Sequence, residues 1–340
     1  MRRRNIAILT VAAIIIIPLA ALLIFIASFN PNRYKPQIIA AAERATGRQV
    51  AIAGDLRMNL SLSPTISASD ITLANPPGFP DATMATLRRI RARVALLPLL
   101  GHRIDIVNLT LVDPAITLER NAAGQGNWVF TPAPGAHPAA PVPAHPARRP
   151  VIALQAVSIR NGVVTMKQAG AARVLTIARL TARAATLASA LHLKAEAAYD
   201  GQPFSIAGKT GPLSRFSTGG AGPWPLDAAV SAAGATLHVK GTVAHPRRLA
   251  GYDLALAAAI PDLAALDPYA GGYALPPLKS VSFSGNLAQP GGTAPGAIPA
   301  VTDARLDIGA SDLGTLRPGL RLASLHAAMK SLSSPLSLNA

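Results

Sequence analysis

The chain has no cysteine in its 340 residues. That removes disulfide cross-links, thiolate metal ligands and cysteine nucleophiles, and it leaves the cellular compartment open. Aromatic residues make up 4% of the chain and charged residues 14%. Acids are the scarcer charge: 16 Asp and Glu against 32 Lys and Arg leave a formal net charge of +16. Such a surplus, carried mostly by arginine, attracts phosphate-bearing partners, either nucleic acid or anionic lipid headgroups. Long amphipathic helices are hard to build with 27 Gly and 30 Pro, a balance that suits many short strands and turns. Because 50% of the residues are hydrophobic, the chain can bury a sizeable core and disorder is not the expected state.

Motifs of catalysis are also scarce. No G-x-S-x-G occurs, and no two of the seven histidines stand at the i, i+4 spacing of a helical zinc site. The stretch "AGKTG" at 207–211 resembles the end of a phosphate-binding loop, but Pro203 stands where its first glycine belongs and a strand pattern surrounds it. Asp105 and Asp113 lie in strand or turn settings with ordinary salt-bridge and turn roles. The sequence asks for no active site, no metal and no cofactor, and the expectation is a protein that is not an enzyme.

What is present begins at the N-terminus. Arg2, Arg3 and Arg4 precede an uncharged apolar run over residues 6–29. At about 1.5 Å per residue that run crosses a hydrocarbon core of roughly 30 Å. It is too long for a signal-peptide core and Ile26-Ala27-Ser28 is a poor cleavage site, so residues 1–30 read as a retained transmembrane anchor. The arginine cluster places the N-terminus in the cytoplasm and the bulk across the membrane. Export argues against nucleic acid as the partner of the basic charge and in favour of headgroups. The stretch "NRYKPQIIAAAERATGRQV" then reads as a short helix near the membrane surface, stopped by Gly47.

From residue 50 the period changes to two. Val50, Ile52, Leu56, Met58, Leu60 and Leu62 share one parity, as one strand or as two joined near Gly54 and Asp55. After Pro64 the parity slips, and a β-bulge near Asp70 absorbs the extra residue. Arg89, Arg91 and Arg93 alternate with Ile90, Ala92 and Val94, giving a strand with one apolar and one basic face. Residues 96–102 read as a turn or short helix, and 104–130 as two short strands around Asp113 and Pro114, with Trp128 packing a core. A Pro/Ala-rich linker at 131–150 divides a first β region, 31–130, from a second, 151–340. Three hairpins are expected in the second, turning at Asn161 and Gly162, at Asp200 and Gly201, and at Ala233 and Gly234. Leu191, Leu193, Leu237, Val239, Leu254 and Leu256 form the apolar parity there, with His192, His238 and Lys240 opposite.

The segments "TGRQVAIAGDLRMNLSLSPTISASDITLANPPGF" and "MATLRRIRARVALLPLLGHRIDIVNLTLVDPAITLERNAAGQGNW" resemble the N-terminal region of the AsmA family. The shared features are a G-R-x-V-x-I-x-G-D-L opening, a P-x-I-x-x-x-D-[IV]-x-L-x-N-P-x-G-F segment, a P-L-L-G turn and a closing G-x-x-N-W. The resemblance implies an inner-membrane-anchored periplasmic protein of Gram-negative bacteria, kin to TamB-like and chorein-type bridge proteins whose long curved sheets form an apolar groove for phospholipid. The expected fold is mainly β: a transmembrane helix and a short helix, then an elongated, curved antiparallel sheet built from successive hairpins. Roughly 14–18 strands at about 4.8 Å spacing give a sheet on the order of 70–80 Å.

Two functions fit the alternation. In the first, the twelve apolar positions named above, from Val50 to Leu256, line a groove for phospholipid or another lipid, and Arg89, Arg91 and Arg93 meet headgroups. In the second, the chain is a non-enzymatic scaffold or regulator of outer-membrane protein or lipopolysaccharide assembly, and its apolar parity is the core of a closed β-sandwich. Partners in either are the membrane, through a single pass, and inner- or outer-membrane proteins.

Overall fold

The computed structural model describes residues 30–59, 63–95, 103–130, 151–168, 171–186, 188–215, 222–246, 250–289, 299–315 and 317–332. The expected transmembrane span, the turn or short helix at 96–102, the linker at 131–150 and the positions of Leu60 and Leu62 lie outside the described residues. No described helix is long and apolar enough to cross a membrane.

Helix α1 (Lys35–Thr46) has Pro36 in its first turn, where a missing N–H costs nothing, and it stops at Gly47 with φ 68°, the left-handed cap the sequence called for. Glu43 reaches beyond the stop and accepts from the Val50 N–H at 3.1 Å. Strands β1 (Val50–Ile52) and β2 (Arg57–Asn59) follow, two strands rather than one, both laid against β3 (Thr65–Ala74). Next come β4 (Thr83–Val94), β5 (Arg103–Glu119), β6 (Val151–Leu154), β7 (Ala156–Gln168), β8 (Ala171–Arg183) and β9 (Ala190–Tyr199). The series continues with β10 (Gln202–Pro212), β11 (Trp224–Ala232), β12 (Ala235–His245), β13 (Ala250–Asp262), β14 (Lys279–Ala288) and β15 (Ala300–Ile308). A small pair, β16 (Ser311–Asp312) with β17 (Arg321–Leu322), precedes β18 (Leu325–Leu332).

All but that small pair form one 16-stranded sheet, 14 of them in the order β1-β3-β4-β5-β7-β8-β9-β10-β11-β12-β13-β14-β15-β18, with β2 on β3 and β6 on β5. Thirteen gaps of roughly 4.8 Å make the sheet about 62 Å across, shorter than the sequence reading expects. The sheet is antiparallel apart from β5, which runs parallel to β6 and β7. A parallel neighbour needs a long return connection, and residues 120–150 supply it. The β5–β7 pairing joins the regions on either side of 131–150 in a single sheet.

Two of the three expected hairpin turns are turns. Asp200 and Gly201 have φ 47° and 83°, and Ala233 and Gly234 have 46° and 80°, the paired positive values of a two-residue hairpin loop. Asn161 and Gly162 are instead interior to β7, and Asp113 and Pro114 are interior to the 17-residue β5. Both are bulges. Asp70, Asp113 and Asn161 have φ 56°, 51° and 53°, and the residues facing them across the sheet, Arg88 and Ala178, are the ones skipped in the pairing of β4 and β8. One extra residue at the same level in five neighbouring strands keeps their registers in step, so each strand slips parity without breaking the ladder. Asp113 ties this seam together: its carboxylate pairs with Arg88 and accepts from Asn161 Nδ2 at 3.0 Å.

The sheet does not close, since β1 and β18 are not partners. It also lacks a second layer among the described residues: Leu193, Val239, Leu254 and Leu256, which a sandwich would enclose, are only half-buried. The closed sandwich is therefore set aside. A buried cluster forms at the β1 end, where Ile52, Leu56 and Ala68 pack with Ile39 of α1, Ile71 and Ile90. From α1 only Ile39 joins this cluster, while Ile38 stays 43% exposed.

Candidate functional site

Residues paired across neighbouring strands point to the same side of a sheet, so the registers define two faces. One row runs Ala68, Ile90, Leu111, Ile159, Leu180, Ala195, Ile206, Val230, Leu237, Ala258, Phe283, Leu306, Ala327. Every member is apolar, from β3 to β18. The row of the adjacent residues, on the opposite face, runs Ser69, Arg89, Val112, Arg160, Arg179, Glu196, Ser205, Ser231, Thr236, Ala259, Ser282, Asp307, His326. The sheet thus has one continuous apolar face and one polar face.

Nine of the twelve lining positions drawn from the sequence stand on the apolar face. Val50 faces Leu73, Ile52 faces Ile71 and Met58 faces Ile66 at one end. Leu191 and Leu193 face Thr210 and Gly208, Leu237 follows Val230, and Val239 and Leu256 face each other beside Leu254. Leu56 departs from the expectation: it lies between β1 and β2, is 5% exposed and belongs to the buried cluster, so it supports the face rather than lining it. Sequence parity missed the middle of the face, including Leu111, Ile159 and Leu180, because the bulge seam shifts parity there. The apolar face remains accessible, with Ile66 38%, Leu237 39% and Met329 38% exposed.

Arg89, Arg91 and Arg93 stand together on the polar face, as their alternation implies, opposite Val112, Thr110 and Asn108. Arg57, Arg91, Arg93 and Arg160 border a cleft of about 520 Å³ there, with Thr65, Ser67, Asn108 and Thr110 between them. A second cleft of about 580 Å³ carries Arg179, Arg183, Lys194 and Glu196. Among the described residues no three His, Asp or Glu side chains gather as a metal site would require.

A polar knot pins the loop after β5. Asn127 is fully buried, donates to Asn75 Oδ1 at 2.9 Å and to the Thr117 carbonyl at 2.8 Å, and accepts from the Glu119 N–H at 3.1 Å. Asn75 in turn donates to Glu119 Oε1 at 2.9 Å. This gives the asparagines of "NPPGF" and "GNW" a structural purpose. Gly126 is required because a Cβ there would meet the Trp128 ring at 2.4 Å. Trp128 itself is 41% exposed, under Arg120, and is not a core residue. Nearby, Arg48 stacks on Phe130 at 4.4 Å and donates to the Val129 carbonyl at 2.9 Å, and burial lowers its pKa. Lys167 is held protonated to higher pH by its 2.6 Å contact with Asp81.

An open sheet with one apolar side, uninterrupted from β3 to β18, defines a mainly β protein without a second layer among the described residues. The AsmA family model matches residues 1–257, and the chain belongs to the AsmA family. It is 33% identical over 120 residues to the AsmA family protein YhjG of Escherichia coli (strain K12), a match covering 32% of this chain and 18% of that protein. No solved structure matches the chain.

Proposed function

We propose that the chain is a membrane-anchored periplasmic protein of outer-membrane biogenesis that handles phospholipid along its apolar sheet face. The observation that carries this reading is the thirteen-strand row from Ala68 to Ala327, apolar at every position and left without a second layer by the described residues. A soluble monomer does not keep so large a contiguous apolar surface in water without a use for it. Acyl chains fit that use: burial yields about 0.8 kcal/mol per CH₂, so a sixteen-carbon tail leaving a bilayer loses roughly 10 kcal/mol unless such a surface receives it. The uncharged run at 6–29 behind three arginines supports a single-pass anchor with the sheet on the far side. Arg89, Arg91 and Arg93 are the headgroup contacts in this reading, each contributing about 1 kcal/mol near an anionic surface.

The test is mass spectrometry of the full chain after gentle extraction. Co-purified phospholipid in near-stoichiometric amount is the expected result. Lipid-free protein of unchanged fold would leave the scaffold or assembly-regulator function in its place. A reporter fused after Ala340 is expected to be active only in the periplasm, and cytoplasmic activity would remove the anchor and the groove together.

A further inference from the structure

The arginine cleft lies at an edge of the sheet, and that edge joins the two faces. Arg57 faces Ser67, Ser67 faces Arg91, and Arg91 faces Thr110, while Arg93 stands between Thr65 and Asn108. Among the described residues none of Arg57, Arg91, Arg93 or Arg160 has a carboxylate within ion-pair distance. The four guanidiniums border one cleft, so their positive charges add there and favour an anion among them. Planar guanidiniums beside hydroxyls suit the oxygens of a phosphate.

Two further observations say where the rest of that occupant goes. Met58, from the apolar face, lines the same cleft. Strand β2, which carries both Arg57 and Met58, has three residues and among the described residues pairs with β3 alone, so one strand width of roughly 4.8 Å separates the cleft from the apolar face. The start of the described chain is fastened beside it, where Asn32 Oδ1 accepts from the Leu56 N–H at 2.8 Å. The apolar run at 6–29 ends just before that point.

The geometry points to β2 as the loading edge for an anionic glycerophospholipid: the phosphodiester sits on Arg57, Arg91 and Arg93, and the acyl chains pass over Met58 and Ile66 onto the apolar face. A phosphatidylglycerol headgroup supplies such a phosphodiester with a net negative charge. The inference rests on the groove reading and adds to it an entrance and a headgroup class.

The test uses the full chain in zwitterionic micelles and two fluorescent probes with the same labelled acyl chain, phosphatidylglycerol and diacylglycerol, with glycerol 1-phosphate as a competitor. Arg57→Ser/Arg91→Ser/Arg93→Ser is expected to weaken phosphatidylglycerol binding at least tenfold and diacylglycerol less than twofold. Arg91→Glu alone gives the same selectivity, and Arg179→Ser/Arg183→Ser, on the same face outside the cleft, changes neither probe. These arginines are exposed, so unchanged thermal unfolding accompanies the loss. Unchanged phosphatidylglycerol binding in the triple variant, or equal loss of both probes, overturns the loading edge and leaves the groove standing. Glycerol 1-phosphate binding as tightly as the lipid overturns it too, as a free-anion site. If the wild type fails to hold diacylglycerol, the groove reading falls; the edge then stands only if phosphatidylglycerol is held through the three arginines and exceeds glycerol 1-phosphate.

Discussion

Arg57 and Met58 are neighbours in the chain and stand on opposite sides of one edge strand, Arg57 facing Ser67 in a polar row and Met58 facing Ile66 in the apolar one. The same division holds along the row from β3 to β18.

Leu193 and Leu256 belong to the apolar face and His192 to the polar one. A carboxylate on the apolar side raises a local barrier of several kcal/mol to an acyl chain, because a charge is costly to hold against hydrocarbon. On a half-exposed face it keeps enough water to spare the fold. Leu193→Asp and Leu256→Asp are expected to lose co-purified lipid with little change in melting temperature, and His192→Asp to retain both. Unfolding of the two Leu variants, or full lipid content in folded protein, would refute the assignment.

Asp113 holds a positive φ and serves Arg88 and Asn161 together. Asp113→Leu removes both partners and leaves a bulky side chain in a left-handed conformation, at a cost of about 1–3 kcal/mol. Asp113→Gly keeps the backbone and loses only the contacts. Denaturant unfolding should rank wild type above the glycine variant and the glycine variant above leucine; a leucine variant as stable as wild type would show that the seam is not under conformational demand.

Asn127→Ala empties the centre of the knot and strands Asn75, the Glu119 N–H and the Thr117 carbonyl. Each buried group left without a partner costs about 1–3 kcal/mol. The loop over 120–130 is expected to become protease-sensitive while the far strands β9–β15 keep their hydrogen-exchange protection. Intact resistance at that loop would mean the knot is dispensable.

Asp200 has its carboxyl held below the ordinary carboxylate range, first by the Val174 N–H at 2.8 Å and then by Arg173 at 2.8 Å. A depressed carboxyl gives its full contribution above its unfolded pKa of about 3.9 and loses it as pH falls through the lower folded value. The β8–β9–β10 corner should therefore be insensitive to pH above about 4 and loosen below it. A carbon-detected titration of Asp200 should find a midpoint under the ordinary value, moved upward in Arg173→Gln; a midpoint at or above 3.9 would contradict the assignment.

Local sequence determined the elements whose information is local. Gly47 ends the helix because only a residue without Cβ takes the left-handed cap freely, and Asp200 with Gly201 turns a hairpin for a related reason. The alternation at Leu191 to Leu193 and at Leu237 to Val239 assigned faces correctly because strands β9 and β12 carry no bulge there. Tertiary structure alone decided the rest. Asn161 with Gly162 has the composition of a turn, yet it lies inside β7 because Asp113 and Arg88 supply matching bulges at the same level and the ladder continues past it. Trp128 reads as a core residue and stands exposed, because Gly126 and Arg120, not a second layer, receive its ring. Whether the apolar parity met another sheet or stayed open could not be settled by alternation, since a half-buried strand has period two in either case. The parallel return of β5 to β7 and the unpaired ends at β1 and β18 settle it for the described residues, because they fix which strands are neighbours, and neighbours decide what an apolar face has to pack against.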